Sequence, residues 1–138
     1  MAKKRSDNIF IDTSFVIALV NENDCDHAKA SKLADRYKNY HVVTTDAILL
    51  EIENVLARNF KRESLEIISY FYTSDKVTII HLNSLLLQRG IELYNVDKAQ
   101  NWGLVDCISF VVMHELGITK ALTFDKIFEQ AAFTALMR

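Results

Sequence analysis

Short apolar runs suited to strands alternate with segments whose apolar residues recur at helical spacing, and they do so along nearly the whole chain. Asn8-Ile9-Phe10-Ile11 reads as a strand, and Phe15, Ile17, Ala18 and Leu19 mark a helix after it. Asp24 or Asp26 can cap a second helix over His27–Tyr40, with Ala28, Ala30, Leu33, Ala34 and Tyr37 available for packing. Val42-Val43-Thr44 gives a strand. Thr45 or Asp46 then opens a helix whose apolar arc is Ile48, Leu49, Ile52, Val55 and Leu56, ending near Asn59. Residues 62–73 form another helix, Lys76–Ile80 a strand and Ser84–Tyr94 a further amphipathic helix. Beyond a polar turn at Asp97–Gly103, Leu104–Leu116 is apolar on nearly every side, the pattern of a central buried helix, and Gly117 supplies its C-cap. Lys120–Thr123 reads as a buried strand, Asp125–Ala131 as a short helix and Phe133–Met137 as a terminal strand. Strands that alternate with helices in this way build an α/β fold, a mainly parallel sheet covered on both faces.

With 138 residues, half of them hydrophobic, the expectation is one domain over residues 1–138 with a substantial core. The absence of proline and the presence of three glycines favour regular elements joined by short turns and exclude a low-complexity chain. Apolar stretches such as Phe15–Val20 fall well short of the roughly 20 residues needed to cross a bilayer, so no membrane partner is expected. The basic start, Met1-Ala2-Lys3-Lys4-Arg5, runs into Asp7 and Asp12 before any signal-peptide core, and Cys25 and Cys107 lack CxxC spacing. Both features point to a cytoplasmic protein with reduced thiols, Cys107 buried. A net charge of −2 gives no general attraction to nucleic acid, so any RNA site must be local.

Chemistry is concentrated in separated acids. Asp12 and Asp125 each lie just past the carboxyl end of an expected strand, where open parallel sheets hold ligands; an aspartate there can equally cap the next helix or bond a turn. Asp106 stands in the first turn of the apolar 104–116 helix, where an unpaired carboxylate is costly. Its partner is either the helix N-terminus or a cation shared with other acids. Glu51 and Glu53 flank the buried arc of their helix on opposite edges, and periodicity does not choose between them. Acids gathered at one sheet end repel one another unless a hard divalent cation joins them. Such an ion can activate water against a phosphodiester. No P-loop, GxGxxG or GxSxG motif is present, and the histidines His27, His41, His81 and His114 lack metal-ligand spacing. Arg58, Lys61, Arg62, Lys120 and Lys126 are available to position phosphates, though solvated helix ends account for such residues as well.

Four segments, in order, carry a family resemblance: Ile11-Asp12-Thr13-Ser14-Phe15; Thr44-Thr45-Asp46 leading to Leu50-Glu51 with Asn54; Leu104-Val105-Asp106-Cys107-Ile108-Ser109-Phe110; and Leu122-Thr123-Phe124-Asp125-Lys126. Over nearly its whole length the chain resembles the PIN-domain ribonucleases, especially the VapC-like toxins of bacterial and archaeal toxin–antitoxin pairs. The resemblance implies a three-layer α/β/α sandwich with a mainly parallel sheet of about five strands. It places Asp12, Glu51, Asp106 and Asp125 as the catalytic, metal-binding acids, which selects Glu51 over Glu53, and makes Thr13, Ser14 and Thr123 supporting hydroxyls. It further implies an endoribonuclease dependent on Mg²⁺ or Mn²⁺, a homodimer, and a cognate antitoxin that holds the enzyme inactive. Two other readings compete: a PIN-like module that binds RNA or protein without cleaving, and a receiver-like phosphoacceptor recruiting Lys126. The second needs an aspartate after the third strand, where Ile80 is followed by His81.

Overall fold

The structure, a computed structural model, describes residues 6–96 and 101–138. The basic N-terminus and the first part of the turn expected over Asp97–Gly103 lie outside the described residues. The elements are β1 (Ser6–Ile11), α1 (Thr13–Val20), α2 (His27–Arg36), β2 (Val42–Thr45), α3 (Asp46–Leu56), α4 (Lys61–Thr73), β3 (Val77–Ile80), α5 (Ser84–Val96), α6 (Leu104–Leu116), β4 (Ile118–Leu122), α7 (Ile127–Gln130) and β5 (Thr134–Ala135). All the pairings are parallel, in the order β3-β2-β1-β4-β5. The expected α/β architecture with a five-stranded parallel sheet is therefore present. The order also removes the receiver-like reading, because that fold runs 2-1-3-4-5 and sets the third strand beside the first. Here β3 is at the edge and β1 lies between β2 and β4.

β1 is buried on both faces, and its alternation divides the core. Phe10 packs against Phe128, which meets Phe110 of α6 edge to face at 5.0 Å. Ile11 faces the other way, toward Phe15 of α1 and Phe71 of α4. A strand sandwiched in this manner has no polar face to spend, which is why Ile9, Phe10 and Ile11 form an unbroken apolar run.

The long buried helix expected from Leu104 is α6, with Cys107, Ile108, Phe110, Val112 and Met113 inside. Gly117 ends it in the left-handed conformation, φ 68°, and its N–H is bonded to the carbonyl of His114. Thr45 rather than Asp46 caps α3, its hydroxyl accepting from Ile48 N at 3.1 Å. Several boundaries differ from the expectations. The second helix stops at Arg36 rather than Tyr40, and residues 37–40 continue as turns bonded through Tyr37 and Lys38. Asp26 holds its N-cap position without a side-chain bond. α3 ends at Leu56, and Val55, expected in its packed arc, is 58% exposed. α7 is a single turn, and the terminal strand shrinks to Thr134–Ala135 because β4 offers a partner only at Lys120 and Ala121.

α5 and α6 approach closely at Gly90, where an added Cβ would stand 2.6 Å from Ile108 Cγ1. Gly90→Ala is expected to destabilise the protein by about 1–3 kcal/mol through overpacking, outweighing the roughly 1 kcal/mol of helix propensity that alanine gains. Urea denaturation checks this, and an unchanged or higher midpoint would contradict the close packing.

Candidate active site

Asp12 follows the last residue of β1 and takes the N-cap position of α1 in extended conformation. Its backbone N–H continues the pairing of β1 with β4 by donating to the carbonyl of Leu122 at 3.2 Å. From the other side, Thr44 of β2 donates its hydroxyl to the carbonyl of Ile11 at 3.1 Å. Three strands thus fix the backbone at Asp12. Asp12 is 5% exposed, and its carboxylate meets the Thr13 N–H but makes no N-cap bond further into α1, so simple capping does not account for its burial.

Two hydroxyls serve Asp12 instead. Thr123 donates to Oδ2 at 2.8 Å and Ser14 donates to the same oxygen at 3.0 Å. Each hydroxyl has one proton, so the 3.1 Å approach between Ser14 and Thr123 is a contact between two donors that share an acceptor. Both hydroxyl oxygens also accept: Ser14 Oγ from Phe124 N and Thr123 Oγ1 from Asp125 N, each at 3.0 Å. The loop after β4 is thereby sewn to the start of α1.

Glu51 on α3 accepts the hydroxyl proton of Thr13 at 2.6 Å. Glu53, the rival acid on the same helix, accepts from Ser64 of α4 and ties two helices together. Tertiary partners therefore send Glu51 toward Asp12 and Glu53 away from it. Asp106 and Asp125 both make the local bonds of the simpler reading through one oxygen. Asp106 Oδ2 accepts from Gly103 N at 2.9 Å, and Asp125 Oδ1 accepts from Ile127 N at 3.1 Å.

Electrostatics nonetheless joins the four. Burial raises the Asp12 pKa, aided by the charge of Glu51 and opposed by the bonds from Thr123 and Ser14. Burial, with smaller contributions from the charges of Asp12, Asp125 and Glu51, pushes Asp106 from its ordinary 3.8 up to about 6, against the Gly103 N–H bond. Among the described residues, no three of these carboxylates bring an oxygen within 4.8 Å of one another; Asp24, Cys25 and Asp26 do so at the surface. An Asx turn, Asp26 N to Asp24 Oδ1 at 2.8 Å, explains that surface group. All four acids offer oxygen donors, the ligand chemistry of a hard divalent cation, and since no three of them converge such an ion would keep waters of its own.

Some contributors were not visible beforehand. Thr44 looked like an ordinary β-branched strand residue, and nothing in its pattern marks the bond to Ile11. The supporting hydroxyls Thr13, Ser14 and Thr123 each contact one of the four acids.

The raised Asp106 pKa sets the direction of a stability change. Between its ordinary 3.8 and about 6 the folded state binds more protons than the unfolded, so metal-free stability falls as pH rises through this window. Asp106→Asn, which keeps an acceptor for Gly103 N, should flatten that decline and raise the metal-free melting temperature at pH 7.5 by about 3 °C. Thermal scans across pH 4–8 check this, and a lower melting temperature for the variant would count against the crowding of charge.

Comparison with known proteins gives a consistent result. The PIN domain family model matches residues 9–134. The 23S rRNA-specific endonuclease VapC20 of Mycobacterium tuberculosis is 31% identical over 125 residues, covering 91% of this chain and 95% of that protein, in both strain CDC 1551 and strain H37Rv. The crystal structure of the same organism's VapC20, a sarcin–ricin loop cleaving toxin, superposes with a TM-score of 0.83 at 30% identity, covering 93% of this chain and 98% of that one. Sequence and fold agree, and the chain belongs to the PIN-domain family.

Proposed function

We propose that this chain is a divalent-metal-dependent endoribonuclease of the VapC type, the toxin member of a toxin–antitoxin pair acting in the cytoplasm. The observation that carries this reading is the buried Asp12 carboxylate, held by Ser14 and Thr123 and within electrostatic reach of Glu51 and of Asp106, on which Asp125 also acts. Burying a carboxylate among other acids costs stability, and costs of this kind are concentrated at functional sites. The sarcin–ricin loop activity of the Mycobacterium tuberculosis relative makes 23S ribosomal RNA the first substrate to try.

Asp12, Glu51, Asp106 and Asp125 are the residues that would hold Mg²⁺ or Mn²⁺. Bound there, the ion supplies neutralisation of phosphate charge and a water acidic enough to attack at neutral pH. The protein's own work is positional. Thr123 and Ser14 hold Asp12 in one rotamer, Thr13 holds Glu51, and Gly103 N–H orients Asp106 while burial keeps its proton affinity high. Ionisation of Asp106 is required for ligation, so the metal-free protein should bind a divalent cation more tightly as pH rises through about 6.

A cognate antitoxin and a second copy of the chain are the protein partners that belong to this reading. Leu50 and Val55 on α3, Leu65 and Tyr72 on α4 and Leu85 on α5 are exposed apolar side chains that such partners would cover.

Purified protein with Mn²⁺ or Mg²⁺ is expected to cleave 23S rRNA endonucleolytically. Chelation should stop cleavage, and Asp12→Asn should lower it by at least about 100-fold, the scale on which electrostatic groups act in active sites. Gel analysis of the RNA products decides: no cleavage of ribosomal, transfer or messenger RNA with metal bound would overturn the nuclease reading.

A further inference from the structure

Between α5, α6 and the segment after α7 runs a groove of about 380 Å³ that the chemistry above does not use. Trp102, Phe110 and Phe133 form its aromatic wall, and Arg89, His114 and Glu115 also line it. Trp102 meets Phe110 edge to face with centroids 5.0 Å apart, and Phe110 meets Phe133 at 5.6 Å. Arg89 is ion-paired with Glu115, both partly exposed.

Through Trp102 this groove is tied to the chain segments that carry two of the acids. Trp102 immediately precedes Gly103, whose N–H holds Asp106. Its indole N–H donates to Gln130 Oε1 at 3.4 Å, on the α7 turn that follows Asp125. Trp102 therefore lies between the two segments that carry Asp106 and Asp125. From there the groove follows α6 to His114, a rise of roughly 12 Å from Asp106 at 1.5 Å per residue.

We propose that this groove receives an unpaired nucleobase of the RNA, stacked on Trp102, while the phosphate to be cut lies at the acids. The inference rests on the nuclease reading and adds a substrate-positioning residue to it. Single-stranded RNA is recognised by splaying bases onto aromatic faces, which tolerates a protein of net negative charge because stacking requires none. Arg89 and His114 provide donors for a base edge or a neighbouring phosphate. An apolar peptide would find the same wall, but the place of Trp102 beside the Asp106 and Asp125 segments favours a strand held at the acids.

Trp102 is the one tryptophan of the chain, so its fluorescence reports the groove directly. The test titrates Asp12→Asn protein with a mixed-sequence single-stranded RNA of about twelve nucleotides, and with the same length of abasic ribose-phosphate. Saturable quenching by the RNA and none by the abasic strand is expected. In the active protein, Trp102→Ala should raise KM about 10-fold with kcat little changed, the mark of lost uniform binding, and Trp102→Phe should restore most of it. RNA binding seen by gel shift without quenching, together with an unchanged KM for Trp102→Ala, overturns this proposal and leaves the nuclease reading standing. Quenching without cleavage under any metal supports the base site and removes the nuclease reading. Failure to bind any RNA overturns both.

Discussion

One carboxylate oxygen, Asp12 Oδ2, takes hydroxyl protons from both Ser14 and Thr123, and the geometry of the acid cluster follows from it. Ser14 belongs to α1 and Thr123 to the loop just after β4, so the shared oxygen joins two segments that the backbone pairing of β1 with β4 only brings near. The same hydroxyls accept from Phe124 N and Asp125 N, which fixes where Asp125 can stand. Charge-assisted bonds of this kind are short and directional. Here they hold a group whose burial works against its ionisation.

The parallel sheet makes such an arrangement possible. Because all strands point the same way, their carboxyl ends lie along one edge, and β1 at the centre receives neighbours from both sides. Thr44 from β2 and Leu122 from β4 fasten the backbone at Ile11 and Asp12, while the helices that leave this edge bring Glu51 and Thr13 together. Asp106 arrives differently, at the N-terminus of α6, where the helix's free N–H groups and a bond from Gly103 partly offset its burial.

Much of the fold was legible because period and composition act locally. The unbroken Ile9-Phe10-Ile11 run announced a strand covered on both faces, and the all-round apolar Leu104–Leu116 segment announced a central helix. What stayed hidden depends on partners distant in sequence. Glu51 and Glu53 are equivalent by helical spacing, and Thr13, 38 positions upstream, separates them from outside α3, as does Ser64 on α4. Val55 satisfied the apolar pattern of α3 yet is exposed, since the pattern says nothing of how wide the neighbouring layer is. The terminal run Phe133–Met137 has strand composition, but a strand extends only as far as its neighbour offers unpaired groups, and β5 stops after Ala135. At Asp106 and Asp125 the local explanation is seen, one oxygen of each accepting a nearby backbone N–H, while the charge of Asp125 also acts on Asp106.

The bond from Thr123 to Asp12 spans 111 positions of sequence. Synthesis proceeds from the N-terminus, so Asp12 leaves the ribosome long before the hydroxyl that orients it. Until β4 pairs beside β1, the early strand has neither its neighbour nor the loop bearing Asp125. The acid cluster is thus a property of the finished chain, and a nascent or prematurely ended product made on a ribosome would carry Asp12 without the means to arm it.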